Sequence, residues 1–183
     1  MNITKPILEI QGLTKYFDAA HGKKVHAVEN VSFVLERGET LGIVGESGCG
    51  KSSMGRTILK IHEPTSGKII FDGKDITDYT PKKMMPYRRR MQMIFQDPGD
   101  SLNDRANIDY IVSEGLRAFH LYEDEKDRLN KVTHMMERVG LRPEYLTRYP
   151  HEFSGGQRQR IGIARCMIMN PEFVVADEPI SAL

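Results

Sequence analysis

The chain has 183 residues, of which 39% are hydrophobic, enough for a buried core in one domain or in one domain with an insertion. Its 26 Lys and Arg residues nearly balance its 25 Asp and Glu residues, so no net field would recruit nucleic acid or anionic lipid. Cys49 and Cys166 lack metal-site spacing, and a reducing cytosol is the expected setting. No signal peptide or apolar run of about 20 residues is visible, so any membrane role should be peripheral.

The predicted elements of the N-terminal half are short strands separated by turns. Strands are expected at residues 8–10, 31–35 and 40–44, followed by a helix over 54–61 that stops before Pro64. The pair Asp72-Gly73 indicates a hairpin after a strand at 68–71. Residues 91–95 complete this region as a further strand.

The second half is predicted to be mostly helical. Apolar residues fall on one helical face over 108–119 and again over 129–139, and a third helix is expected from Ser154 to about Met169. Residues 173–176 then form a buried strand. This order predicts an α/β nucleotide-binding core with an N-terminal antiparallel β region and a helical insertion. The predicted parts are a first core segment at 1–97, a helical subdomain at 98–168 and a resumed core at 169–183.

Residues 45–52 fit the P-loop pattern G-x-x-x-x-G-K-[ST] between a predicted strand and a predicted helix. Its glycines let successive backbone N–H groups point at a phosphate, and the helix N-terminus adds partial positive charge. Lys51 is expected to reach the β- and γ-phosphates, and the Ser52 hydroxyl to bind Mg²⁺. The predicted ATP-binding residues here are Gly45, Glu46, Ser47, Gly48, Cys49, Gly50, Lys51, Ser52 and Ser53.

An acidic pair follows the last predicted strand. In open α/β sheets, ligands lie at the carboxyl ends of the strands, where Asp177 and Glu178 are expected. Asp177 is predicted to hold Mg²⁺ opposite Ser52, and Glu178 to polarise the water that attacks the γ-phosphate. Without a P-loop in the same chain, the pair would indicate no more than a solvated strand end.

The segment Ser154-Gly155-Gly156-Gln157 supports two compatible interpretations. Ser154 and Gln157 have the spacing of a capping box, which satisfies amides at a helix start. The paired glycines also expose backbone N–H groups that can bind an anion. Because the segment lies far from the P-loop in sequence, we expect it to serve a nucleotide held by another subunit.

Together these motifs resemble the nucleotide-binding subunits of ABC transporters, over nearly the whole chain. The family signature is S-G-G-Q, and its Walker B segment ends in Asp-Glu. The segments around Gly45–Gly50, Phe95–Asn103 and Tyr149–Phe153 resemble those of oligopeptide and dipeptide importers. By this resemblance, Gln96 is the Q-loop glutamine that contacts Mg²⁺ and water.

The resemblance also implies a base-stacking aromatic and a set of partners. Phe17 matches the residue that stacks on adenine, with Tyr16 an alternative one position away. The implied partners are two transmembrane permease subunits, a second related ATP-binding subunit and, indirectly, an extracellular peptide-binding protein. The implied location is the cytoplasmic face of the cell membrane.

Two other functions are less consistent with the motifs. A soluble ABC-type ATPase acting on ribosomes or DNA would be expected to carry two cassettes or a long insertion. A small-molecule kinase would leave Gln96 and residues 154–157 without a role. The basic residues Lys82, Lys83, Arg88, Arg89 and Arg90 are interpreted as a solvated face, and no nucleic-acid partner is expected.

The sequence ends at Leu183, shortly after the predicted strand at 173–176. Residues 181–183 begin the family's D-loop, and the family's switch histidine has no counterpart among the six histidines. We therefore expect a truncation of a longer protein. For this chain alone we expect little ATPase activity and an exposed sheet edge.

Overall fold

The computed structural model describes residues 5–96 and 101–178. The chain divides into two compact units, unit 1 (Met1–Met85) and unit 2 (Pro86–Leu183). Unit 1 is built on an antiparallel sheet of four strands in the order β2-β1-β3-β4. The strands are β1 (Leu8–Asp18), β2 (Lys24–Leu35), β3 (Ser66–Phe71) and β4 (Lys74–Asp75). The predicted antiparallel β region is therefore confirmed, with strands longer than the sequence indicated.

The core of unit 1 comes from the alternation of apolar residues along β1 and β3. Leu8, Ile10, Ile69 and Phe71 are each at most 1% exposed. At the predicted hairpin, Asp72 and Gly73 both have positive φ, as a two-residue turn with the right-handed strand twist requires. The first helix, α1 (Lys51–Ile58), packs Met54 and Ile58 into the same core.

The strand predicted at 40–44 is wrong. These residues have no strand conformation, and no strand in the described ranges pairs with them. Leu41 and Ile43 are partly exposed, and Val44 is 97% exposed. An apolar β-prone sequence becomes a strand only where a neighbouring strand pairs with its backbone N–H and C=O groups, and the sheet of unit 1 pairs its own four strands.

The basic segment at 81–90 forms a helix, α2 (Pro81–Arg90), that the sequence analysis did not predict. Met84 and Tyr87, one helical turn apart, are buried, whereas Lys82, Lys83 and Arg89 are exposed. The segment is thus an amphipathic helix with a solvated basic face, and its signal was the i, i+3 spacing of the two apolar residues.

In unit 2, two parallel strands pair, β5 (Met91–Ile94) and β6 (Phe173–Ala176), with Met91 opposite Phe173 and Ile94 opposite Ala176. This register is fixed at the amino ends of the strands. The Glu172 N–H donates to the Arg90 carbonyl at 2.9 Å, and the Arg90 guanidinium pairs with the Glu172 carboxylate through two nitrogens. Parallel pairing places the carboxyl ends of both strands at one edge.

Three helices make up the rest of unit 2: α3 (Ile108–Ala118), α4 (Glu125–Arg138) and α5 (Gly155–Met167). Each begins at a predicted type of capping residue, since Asn107, Asp124 and Ser154 accept hydrogen bonds from backbone N–H groups of the first turn. Their apolar faces form one core around Val112, Met136 and Ile161. All three predicted helices of this region are confirmed.

Candidate nucleotide-binding site

The loop before α1 has a backbone that only glycine adopts without strain. Gly48 and Gly50 have φ of 80° and 98°, and a Cβ on Gly50 would lie 1.9 Å from the carbonyl oxygen of Ala27 in β2. The loop therefore lies directly against the sheet of unit 1, and no side chain fits between them. This close approach fixes where α1 begins.

The N-terminus of α1 is available to an anion. Gly50 is its N-cap and provides no side chain to bind the first N–H groups. The Lys51 ammonium curls back over the loop and donates to the carbonyls of Gly45 and Glu46, each at 2.8 Å. A lysine on the loop, beside a helix end that has no side-chain cap, fits a polyphosphate. Ser52 and Ser53 follow in the first turn of the same helix.

The two candidate base-stacking aromatics have different neighbours in unit 1. Tyr16 stacks face to face on His26 with centroids 3.9 Å apart, and its hydroxyl donates to Glu29 at 2.6 Å. This hydrogen bond raises the pKa of Tyr16 and lowers that of Glu29. Tyr16 is therefore already engaged through both a ring face and its hydroxyl.

Phe17 has no stacked ring partner among the contacts of its ring with His62 and Lys15. The His62 imidazole meets it in a T-shaped contact at 5.2 Å, and the Lys15 ammonium lies 4.8 Å from its ring centre. Burial and the nearby Arg56 and Lys15 charges lower the pKa of His62, which favours the neutral ring. The sequence analysis missed His62 because nothing in the sequence relates it to a residue 45 positions away.

In unit 2, the predicted Q-loop glutamine and the predicted catalytic carboxylate lie together. Gln96 follows β5 and Glu178 follows β6, and the Gln96 amide donates to the Glu178 carboxylate at 2.7 Å. Both side chains are exposed, whereas Asp177 between β6 and Glu178 is 7% exposed. Glu178 has a φ of 44°, a left-handed conformation that is uncommon for this residue.

The predicted capping box is present at the start of α5. The Gln157 N–H donates to the Ser154 hydroxyl at 3.3 Å, and the Ser154 N–H donates to the Gln157 side chain at 3.0 Å. Gly155 occupies the first helical position, and a Cβ there would meet no atom within 4 Å. The space next to Gly155 at this helix end is therefore open.

Some predicted features fall outside the described residues. The D-loop residues 181–183 and the residues at 97 and 98 lie outside the described ranges. Within the ranges 5–96 and 101–178, no group of three or more His, Cys, Asp or Glu residues could hold a metal ion. No helix in the described part of the chain is long and apolar enough to cross a membrane.

Comparison with known proteins decides the family. The family model described as ABC transporter matches residues 28–181. The chain belongs to the ABC transporter family. The resemblance drawn from the motifs is therefore confirmed.

Within the ABC transporter family, the chain is similar to curated oligopeptide transport ATP-binding proteins. It is 52% identical to OppF of Streptococcus pyogenes serotype M1 over 99% of the chain and 59% of that protein. It is 51% identical to AmiF of Streptococcus pneumoniae over the same shares. The chain thus spans about 59% of the length of these curated relatives.

The fold matches solved ABC cassettes. The structure titled as a dimeric post-hydrolysis state of the ATP-binding cassette MJ0796 bound to ADP and Pi superposes with a TM-score of 0.88 at 25% identity. The match covers 96% of this chain and 75% of that one. CbiO1 of Clostridium perfringens, part of the ABC transporter complex cbiONQ, superposes with a TM-score of 0.78 at 31% identity. That match covers 97% of this chain and 67% of that one. The predicted fold class, the ABC type of P-loop NTPase, is confirmed.

Proposed function

We propose that this chain is the ATP-binding and ATP-hydrolysing part of a subunit that drives an ABC importer of oligopeptides or dipeptides. The observation that carries the proposal is the loop before α1, where Lys51 donates to the carbonyls of Gly45 and Glu46, Gly50 has no room for a Cβ, and the helix end has no side-chain cap. Relatives at about half identity are named as oligopeptide transport ATP-binding proteins. Both support a nucleoside triphosphate as the ligand.

In this proposal the triphosphate is bound by the P-loop and the base by an aromatic side chain. The amides of residues 45–53 surround the phosphates, and Lys51 exchanges its two loop carbonyls for phosphate oxygens. Phe17 stacks on the base, because Tyr16 already stacks on His26 and bonds to Glu29, whereas the contact of Phe17 with His62 is T-shaped rather than stacked. A stacked ring reads no base edge, so other nucleotides should also be accepted.

The proposed Mg²⁺ ligands are oxygen donors: the Ser52 hydroxyl, the Gln96 amide oxygen and the Asp177 carboxylate. This donor set suits a hard, oxygen-seeking cation. When bound, the ion neutralises charge that develops on the phosphate oxygens. Asp177 is 7% exposed, so its carboxylate is held in place rather than freely solvated.

Hydrolysis is assigned to Glu178, which accepts a proton from the attacking water or orients it. The hydrogen bond from Gln96 restrains the Glu178 carboxylate, and the backbone at Glu178 is left-handed. Gln96 then forms the second contact to the same water. When ATP binds, Gln96 exchanges its hydrogen bond to Glu178 for one to the attacking water, and Glu178 becomes available to that water.

The proposed partners are those of an importer. The segment Ser154–Gln157 contacts the nucleotide that is bound by a second, related ATP-binding subunit. Dimerisation of the two ATP-binding subunits drives two transmembrane permease subunits. An extracellular binding protein delivers the peptide, and this chain lies on the cytoplasmic face of the membrane. The names of the relatives favour this assembly over a soluble ATPase acting on ribosomes or DNA.

The test is the Glu178→Gln variant of the full-length protein, assembled with its partners in lipid vesicles. ATP hydrolysis stimulated by a peptide-loaded binding protein should fall by about 10³-fold, because a general base contributes about 10²- to 10⁴-fold. ATP affinity should stay within about twofold, because Glu178 acts on water rather than on bound phosphate. Peptide import should stop with hydrolysis.

Glu144→Gln is the matched control, because Glu144 is an exposed carboxylate in the same unit. It should hydrolyse ATP at the wild-type rate. Unchanged turnover in Glu178→Gln would remove Glu178 from its role. Hydrolysis by the wild-type complex that responds to RNA or DNA, and not to peptide, would overturn the importer assignment.

A further inference from the structure

The candidate base-stacking residue Phe17 is contacted by a residue that follows α1. The His62 imidazole meets the Phe17 ring with centroids 5.2 Å apart and with the two ring planes at 88°. Both side chains are half-buried, and both lie in unit 1. A T-shaped pair is a preferred arrangement of two aromatic rings, so this contact restrains the tilt of the Phe17 ring.

The backbone that carries His62 is fixed to the end of α1. The Lys60 N–H donates to the Thr57 carbonyl at 2.9 Å. The Ile61 and His62 N–H groups both donate to the Arg56 carbonyl, at 2.9 Å and 3.2 Å. The bonds from Lys60 and Ile61 form a Schellman motif, which ends a helix with a defined turn. His62 is therefore held by the same helix that begins at the P-loop.

A buried lysine stabilises this turn. Lys60 has a φ of 55°, a left-handed conformation in which helices most often place glycine. The Lys60 side chain is 1% exposed, and its ammonium donates to the Thr77 carbonyl and pairs with the Glu63 carboxylate. A buried charge that loses its partners is strongly unfavourable, so these contacts keep the turn in its left-handed form. The position of His62 is thus fixed from both the helix and the segment after β4.

Helix α1 therefore connects the two parts of the proposed nucleotide site. Its N-terminus has no side-chain cap and carries Lys51, and its C-terminal turn leads to His62, which contacts Phe17. The Lys15 ammonium lies over the same Phe17 ring, 4.8 Å from its centre. A ring that is already restrained by two neighbours loses less conformational entropy when a ligand stacks on it, and such preorganisation strengthens binding.

We propose that His62 is a positioning residue that preorganises Phe17 for stacking on the nucleotide base. His62 acts on the base through Phe17, whereas the phosphates are left to the P-loop. Affinity for a nucleoside triphosphate should therefore depend on His62, and affinity for a phosphate chain without a base should not. This inference rests on the proposed function and deepens it, because it assigns a residue to the base-binding end of the same site.

The test compares ATP with inorganic tripolyphosphate, each with Mg²⁺, as ligands of the full-length protein in titration calorimetry. Tripolyphosphate has no base, so its affinity reports on the P-loop alone. In His62→Ala, ATP binding should weaken by about fivefold, as expected for one lost aromatic contact. Tripolyphosphate should bind within about twofold of wild type.

Two further variants separate the ring contact from other effects. His62→Phe keeps an aromatic ring without the imidazole nitrogens and should bind ATP within about twofold of wild type. The matched control is His134→Ala, which removes an exposed histidine from α4 and should bind both ligands as wild type does. If His62→Ala does not fold, His62→Leu, which fills the site without a ring, carries the same test.

A double-mutant cycle with Phe17→Ala tests whether His62 acts through Phe17. In the Phe17→Ala background, His62→Ala should cause no further loss of ATP affinity. Equal losses for ATP and tripolyphosphate in His62→Ala would indicate a general effect on α1 and would overturn the inference. Wild-type ATP affinity in His62→Ala, or a His62→Phe variant as weak as His62→Ala, would also overturn it. Failure of the proposed function is distinct, because the wild-type protein would then bind neither ligand.

Discussion

Two helices of this molecule begin with glycine-rich segments, but only one of them has side chains that accept hydrogen bonds from its first backbone N–H groups. Before α1, the N-cap is a left-handed Gly50 with no side chain, and Lys51 adds a positive charge above the loop. Before α5, Ser154 and Gln157 satisfy each other's amides in a capping box. The first helix end has donors to offer a ligand, and the second has already used two of them.

This difference suggests different roles for the two helix ends in nucleotide binding. An anion at α1 meets a helix end without a side-chain cap and gains Lys51, which exchanges its two loop carbonyls for the anion, so we expect this end to capture nucleotide. An anion at α5 must compete with its own cap or use the amides of the two glycines. We therefore expect α5 to contribute to a nucleotide that is already held by a partner, rather than to capture one.

The largest predicted difference between the two ends concerns their glycines. Gly50→Ala should destabilise the protein by about 3 kcal/mol, because the new Cβ meets the Ala27 carbonyl and the backbone is left-handed. Gly155→Ala should change stability by less than about 0.5 kcal/mol, because nothing lies near and alanine favours helix. Urea unfolding of the full-length variants measures both.

Gly38→Ala is a control for the Gly50 result. Gly38 also has positive φ, but a Cβ added there would meet no atom within 4 Å, so it reports backbone strain alone, about 1 kcal/mol. Equal losses for Gly38→Ala and Gly50→Ala would mean that the loop does not press on the sheet.

A smaller effect is predicted at the cap of α5. Ser154→Ala should lower the free energy of unfolding by about 1 kcal/mol, because the Gln157 N–H loses its acceptor. Ser154→Thr keeps a hydroxyl and should retain most of the stability. Thermal unfolding distinguishes the two, and an unaffected Ser154→Ala variant would show that the cap is not needed for α5.

A further effect, visible only at high pH, is predicted for Cys166 near the end of α5, where burial raises the pKa of the thiol to about 11 from 9.0. The unfolded chain loses this proton first as pH rises, so the stabilisation is present below pH 9 and is lost between about 9 and 11. Wild type should lose more stability over that interval than Cys166→Ala. Parallel pH curves for the two would contradict the buried thiol.

The sequence was most informative where local chemistry decides the structure. The apolar periodicity of the first two helices and the cap at Ser154 of the third were sufficient to predict all three, because amphipathicity and capping act within a few residues. The turn at Asp72-Gly73 was predictable for the same reason.

The sequence was least informative where partners are distant in the chain. The apolar run at 40–44 has strand propensity but no pairing in the described part of the molecule. The contact of His62 with Phe17 and those of Gln159 and Arg165 with main-chain carbonyls leave no local pattern. Propensity describes what a segment can do, and pairing depends on which segments meet it.

The claim on which the account depends most is that the α1 end, and not the α5 end, captures the triphosphate. Calorimetric titration of the full-length protein with ATP and Mg²⁺ tests it in wild type, Lys51→Ala and Gln157→Ala. Lys51→Ala should weaken binding by about 100-fold, as expected for a lost bond to a charged phosphate, and Gln157→Ala should bind within about twofold of wild type. Equal affinity of Lys51→Ala and wild type would contradict the account.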